Sequence, residues 1–289
     1  MEKMIRPLTK EDLPKLKAME TGIEDDYVIR VFDRISSGNN KLFGLFTNDQ
    51  LVSVGGLTVF AKHYAMLGRM RSDLRYRGND LSTSLMSQVL EEAFNLPDIK
   101  WVGANTQEEN IPAQRVLKKI GLAERHISYG ASALDVSSIE NGGTPWKREE
   151  DVSNKRQWLR KLFIDSAAVF PYECYYPFPA SEEMFDDKQI AGWNFFVNPQ
   201  GDRLLITKKD FKKYNYLQAV YPFEDMMDQP GLWETVALAH QQLASELRKE
   251  THIWMDLTKQ QAAVLPENHP FNLPSPWMLF GKGRGGGKK

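Results

Sequence analysis

Residues 65–82, AMLGRMRSDLRYRGNDLS, decide how this chain is read. Residues 65–72 have the composition of a strand. A basic, glycine-containing turn follows, and a helix runs from about Asp80 to Phe94, with Leu81, Leu85, Met86, Val89, Ala93 and Phe94 on one apolar face. Strand, basic turn and helix in that order can hold a phosphate, because the N–H groups that open a helix lack intrahelical partners and the helix dipole favours an anion there. Asp80 stands where a glycine would let the backbone approach that phosphate. It has two readings. As an N-cap it stabilises the helix by about 1 kcal/mol. As a carboxylate about 6 Å from a phosphate charge it costs roughly 3 kcal/mol at an effective dielectric of about 20, on the order of a hundredfold in affinity. Arg75 and Arg77 are the cations near enough in sequence to offset it.

Before this stretch, residues 4–8 read as a strand. Thr9 and Asp12 form a near capping box, with Leu13, Leu16 and Met19 behind them at helical spacing. A second helix is expected over 25–36, where Val28, Val31, Phe32 and Ile35 share a face. KLFGLF (41–46) and LVSVGGLTVF (51–60) across a short polar turn predict a hairpin. After it, WVGAN (101–105) reads as a strand. Asn110 is a good N-cap for a helix with Ala113, Val116, Leu117 and Ile120 on one face, and Gly121 is placed to stop it. Residues 122–131 read as a further strand. The order over 1–137 is therefore β-α-α-β-β-β-α-β-α-β.

Two motifs within this order resemble the GNAT superfamily of acyl-CoA-dependent N-acyltransferases. One is Arg77-Gly78-Asn79-Asp80-Leu81-Ser82, similar to the family's Arg/Gln-x-x-Gly-x-Gly/Ala turn after the fourth strand. The other is the Asn110–Leu122 segment, NIPAQRVLKKIGL, similar to the family's Asn-x-x-Ala helix that ends in Gly-Phe. The opening IRPLTKEDLPKL also resembles the family's start. The likeness covers roughly 1–131 and implies an α+β fold with a mixed, mostly antiparallel sheet flanked by helices. It also implies acetyl-CoA as acyl donor, bound in a cleft between the fourth and fifth strands. Backbone groups of Met70, Arg71 and Ser72 would meet the pantetheine and the acyl carbonyl. The turn at Arg77, Gly78, Asn79, Asp80, Leu81 and Ser82 would wrap the pyrophosphate, and Asn110 would lie near the cofactor arm. The family's base is often at the start of the fourth strand, which here points to Tyr64, in register with Met66, Gly68, Met70 and Ser72, or to His63 one residue away. The tyrosine acid of many relatives is replaced by Leu117, so an acid would have to come from Glu108, Glu109, Tyr129 or water.

Residues 138–152, with Gly142-Gly143, Pro145 and a charge run, read as a linker between domains at 1–137 and 153–281. In the second domain FPYECYYPFP (170–179) reads as irregular. Strands are expected at 193–197, 203–207, 214–221, 252–257 and 275–281, and a helix at 232–249. Strand, loop, helix and strand from 214 to 257 parallel 65–105. The domain is either a separate α/β unit or a degenerate second copy of the first fold. Its loop, FEDMMDQPG (223–231), has three acids and no base, which disfavours a pyrophosphate. A GNAT domain followed by a domain ending in a strand and Phe-Gly is also similar to the histidine N-acetyltransferase group of vertebrates.

Composition narrows the function further. The 289 residues are 42% hydrophobic and 26% charged, and 37 Lys and Arg against 38 Asp and Glu leave a net charge of −1. A nucleic-acid partner held by a global field calls for a more basic chain. Cys174 is the single cysteine and precludes an internal disulfide. No apolar run matches a signal peptide or a membrane span, so a cytoplasmic protein is expected, with a small-molecule amine as partner. His240, His252 and His269 lack metal-ligand spacing and no metal site is expected. Glu24, Asp25 and Asp26 read as a solvated helix start or as part of a substrate site. The end, 282–289, reads as a loose basic tail. The reading that results is an N-acetyltransferase for a primary amine, an amino acid among the candidates. The alternative is a catalytically inactive GNAT-fold binding or regulatory module.

Overall fold

A computed structural model describes residues 3–285. The first half runs β1 (Lys3–Pro7), α1 (Leu13–Lys17), α2 (Tyr27–Arg30), α3 (Phe32–Ile35), β2 (Asn40–Thr47), β3 (Gln50–Phe60), β4 (Tyr64–Ser72), α4 (Leu81–Asn95), β5 (Trp101–Gln107), α5 (Ile111–Lys119) and β6 (Ala123–Ala133). The helix expected over 25–36 is two short ones, because Val31 leaves helical geometry between them. Val28, Phe32 and Ile35 still reach the core, where they pack with Leu16, Leu42, Phe46 and Val54.

The second half runs β7 (Lys147–Glu149), α6 (Val152–Leu159), β8 (Val169–Glu173), β9 (Tyr176–Pro179), α7 (Asp187–Gly192), β10 (Asn194–Val197), β11 (Leu204–Phe211), β12 (Asn215–Val220), α8 (Leu232–Leu247), β13 (Thr251–Leu257), α9 (Lys259–Ala263) and β14 (Trp277–Gly283). Residues 170–179 are not irregular. They form the β8–β9 hairpin, whose register slips between Pro171 and Glu173 and whose turn puts Tyr175 at φ +71. Three prolines remove ladder donors, which is why the composition conceals these strands.

Two compact units emerge: residues 1–125 with 278–289, and residues 126–277. The expected linker therefore lies within the second unit, and Lys147–Glu149 inside it pair with β10. Lys282 and Gly283, expected in the tail, continue β14. Arg284 donates to the carbonyl oxygens of Phe94 and Leu96. Residues 286–289 lie outside the described residues.

In the first unit β1 to β4 are antiparallel neighbours, β5 joins β4 in parallel, and β14 lies beside β5. The second unit repeats the order. Strands β7, β10, β11 and β12 are antiparallel neighbours, β13 joins β12 in parallel with α8 as the crossover, and β6 lies beside β13. Each sheet thus takes its last strand from the other half of the sequence. The core of the second unit gathers α8 residues Trp233, Val236 and Leu243 against Leu217, Ala219, Ile253 and Met255.

Candidate active site

Strand β4 has neighbours on both sides, but not for its whole length. It pairs with β3 as far as Ser72. Its pairing with β5 covers Tyr64–Trp101 to Leu67–Ala104 and stops. Beyond those residues the two strands part, and the β4–β5 ladder does not extend to Met70, Arg71 and Ser72. A bulge coincides with the parting. The β3–β4 register shifts between Val54, opposite Arg71, and Gly56, opposite Gly68, and Arg69 has φ +59. The Arg69 guanidinium secures the bulge through Asn40 Oδ1 (3.0 Å) and Thr58 Oγ1 (2.8 Å). A bulge adds twist and re-aims the strand, which fits the end of the β4–β5 ladder at this point.

Met70, Arg71 and Ser72 lie along this last stretch of β4. The Arg71 guanidinium turns from it to grip buried Asp26 in a bidentate pair (2.6 and 2.7 Å). Asp26 also caps α2 through Val28 N–H. Burial pushes the Asp26 carboxyl up, but these bonds outweigh it and hold the group below its usual range. The acidic run at 24–26 therefore divides: Asp26 is a structural anchor, while Asp25 pairs with Arg30 at the surface.

The turn after β4 is tied down by Asp73. Its fully buried carboxylate accepts from Arg75 N–H (3.0 Å), the Arg75 guanidinium and Glu20 N–H. Hydrogen bonding by Arg75 holds the carboxyl at about 2. Arg75 is thus engaged, and Arg77 reaches toward Thr21 O at 3.5 Å. Neither of these two arginines pairs with Asp80. That role falls to Lys119 at the end of α5, whose Nζ is 2.6 Å from Asp80 Oδ1. Nor is Asp80 a side-chain cap. It adopts the left-handed conformation at φ +53 and its carboxylate accepts from no helix N–H. The opening N–H groups of α4 keep no intrahelical partner. Gly78, at φ +82, has open space around it where a side chain would stand. Ser82, in place of the family's Gly or Ala, turns its hydroxyl back to Ser72 Oγ (2.5 Å) and Ser53 Oγ (3.4 Å). Leu81 is buried and Asn79 bonds the carbonyl of Tyr76. Asn110 spends its Oδ1 on capping α5 through Ala113 N–H.

Tyr64 and His63 sit at the paired start of β4, about 13 Å of strand before Gly68. Tyr64 is buried with its ring against Trp101 (6.2 Å). His63 Nδ1 lies 2.9 Å from Asp98 O. Leu117 is fully buried and offers no proton. Glu108 directly follows β5, and Tyr129 belongs to the second unit.

The second unit has the corresponding helix start at Gly231, and there the chain itself fills it. Glu234 Oε1 accepts from the N–H groups of Asn141 (2.9 Å) and Gly143 (3.0 Å), and Asn141 Oδ1 accepts from Gly231 N–H. A Cβ on Gly231 would stand 2.0 Å from Thr144 O. Asp225 in the adjoining loop is bonded by Tyr221 (2.6 Å), Arg203 (2.9 Å) and Gln229 (2.8 Å). The open turn of the first unit suits a pyrophosphate; the filled one of the second does not. Among the described residues no cluster of His, Cys, Asp or Glu could hold a metal ion, and no helix is long and apolar enough to cross a membrane.

Comparison with known proteins agrees with this geometry. The Acetyltransferase (GNAT) domain family matches residues 4–123, so this part of the chain is similar to a GNAT acetyltransferase domain. Among solved structures, a GCN5-related N-acetyltransferase from Sphaerobacter thermophilus is similar over 97% of this chain and 95% of its own, at 12% identity and a TM-score of 0.54. A provisionally assigned acetyltransferase from Pyrococcus horikoshii is similar over 98% and 90%, at 11% identity and a TM-score of 0.53. At such identities the likeness is one of fold, and it extends across both units. A search of curated proteins finds no match.

Proposed function

We propose that the chain transfers an acetyl group from acetyl-CoA to the primary amine of a small molecule, with amino acids among the acceptors to test. The observation that carries this reading is the parting of β4 from β5 after Leu67 and Ala104, at a bulge and ahead of an open left-handed turn. The edge at Met70, Arg71 and Ser72 offers backbone groups to the pantetheine and the thioester, and the turn at 77–82 offers helix N–H groups to the pyrophosphate. The amine nitrogen attacks the thioester carbonyl. The tetrahedral adduct collapses with loss of the CoA thiolate, an amide forms, and the nitrogen gives up a proton. Leu117 supplies no acid, so water reprotonates the thiolate. Glu108 is the carboxylate that follows β5; Tyr64 and His63 lie farther back, at the start of β4.

A second reading, a binding module without turnover, is favoured by the same Leu117. Release of CoA thiol, followed while free amino acids and polyamines are offered with acetyl-CoA, separates the two. The enzyme reading predicts amine-dependent thiol release, with Tyr64→Phe and His63→Ala lowering kcat less than about tenfold. Acetyl-CoA binding with no release for any amine would favour the module.

A further inference from the structure

Lys119 belongs to the last turn of α5 and Asp80 to the start of α4, 39 residues earlier in sequence, yet their charges meet at 2.6 Å. We propose that Lys119 is the positioning residue that makes the 77–82 turn acceptable to a pyrophosphate, by neutralising Asp80 and holding its carboxylate off the helix N-terminus. The inference rests on the acetyl-CoA reading above.

Three observations carry it. Asp80 leaves the opening N–H groups of α4 uncapped, so they are available to an anion. Arg75 is committed to Asp73 and Glu20, and Arg77 reaches for Thr21 O. The left-handed backbone at Asp80 keeps the turn open although the residue is not glycine. An unpaired Asp80 would face the incoming phosphates with a full negative charge. Both partners of the pair are more than half exposed, at 71% and 55%, so solvent and salt reduce the hundredfold penalty of the simple Coulomb figure. Loss of Lys119 is expected to cost on the order of tenfold in affinity.

A direct contact between Lys119 and phosphate would also make this lysine important, and a double-mutant cycle separates the two roles. Acetyl-CoA is titrated calorimetrically into the full-length wild type, Lys119→Met, Lys119→Arg, Asp80→Asn and the Lys119→Met/Asp80→Asn double variant. Thermal midpoints are recorded for each. Asn tolerates the left-handed conformation that Asp80 adopts. Lys119→Met should weaken binding about tenfold, and Lys119→Arg should stay within about threefold of the wild type. In the Asp80→Asn background, Lys119→Met should cost less than about threefold, because no carboxylate remains to be neutralised. An equal loss in both backgrounds would overturn the proposal in favour of a phosphate contact, and no loss in either would overturn it outright. Should Lys119→Met fail to fold, Lys119→Gln takes its place in the cycle. A folded wild type that binds no acetyl-CoA would instead defeat the underlying reading, and this inference with it.

Discussion

Arg71 lies on β4 beyond its last pairing with β5, but its charge is spent on Asp26, which is almost fully buried. Removing one partner of such a pair leaves an uncompensated charge in the interior, at a cost of about 3–5 kcal/mol. Arg71→Ala should therefore lower the first thermal transition by about 10 °C, read by calorimetry or circular dichroism. A fall of less than about 2 °C would show the pair to be dispensable. Asp73 makes a different prediction. Its carboxyl titrates near 2 in the folded chain, below its ordinary 3.8, so the folded state holds the charged form more firmly than the unfolded one. The stability it contributes is complete above about pH 4 and is lost as the pH falls toward 2. Asp73→Asn should flatten the acid limb of the stability curve in that window. An unchanged limb would show that the loop anchor does not contribute.

At the scale of elements, periodicity made the first half legible. The apolar face of α4, the 41–60 hairpin and the Asn110 cap all stand where residue spacing puts them. The motif at 77–82 was legible as a turn but not in its electrostatics. Asp80 is balanced by Lys119 rather than by the nearby arginines, and no local pattern announces a pairing across 39 residues. The same limit concealed the filling of the α8 start by residues 141–146. Gly142-Gly143 and Pro145 have the composition of a linker, yet Gly143 is needed where a Cβ would meet Gly231 N at 2.2 Å. Composition reports what a backbone can do, and only the tertiary partner determines where it lies. For the β8–β9 hairpin, prolines overrode the strand signal of its aromatic residues.

At the scale of the whole chain, each half supplies the strand that completes the other unit's sheet: β14 beside β5, and β6 beside β13. That exchange has no signature in either segment, because a strand's sequence reports its burial and not its neighbour. It places residues 278–283 in the same unit as the candidate site, although they follow the second unit in sequence. The repeated topology raises the question of how many cofactor sites the chain has. On the proposed acetyl-CoA reading, the open turn of the first unit and the filled helix start of the second predict one. Calorimetric titration of acetyl-CoA into the intact protein tests this most directly. Binding should saturate with a stoichiometry of one per chain. Absence of binding at millimolar acetyl-CoA, or a stoichiometry of two, would contradict it.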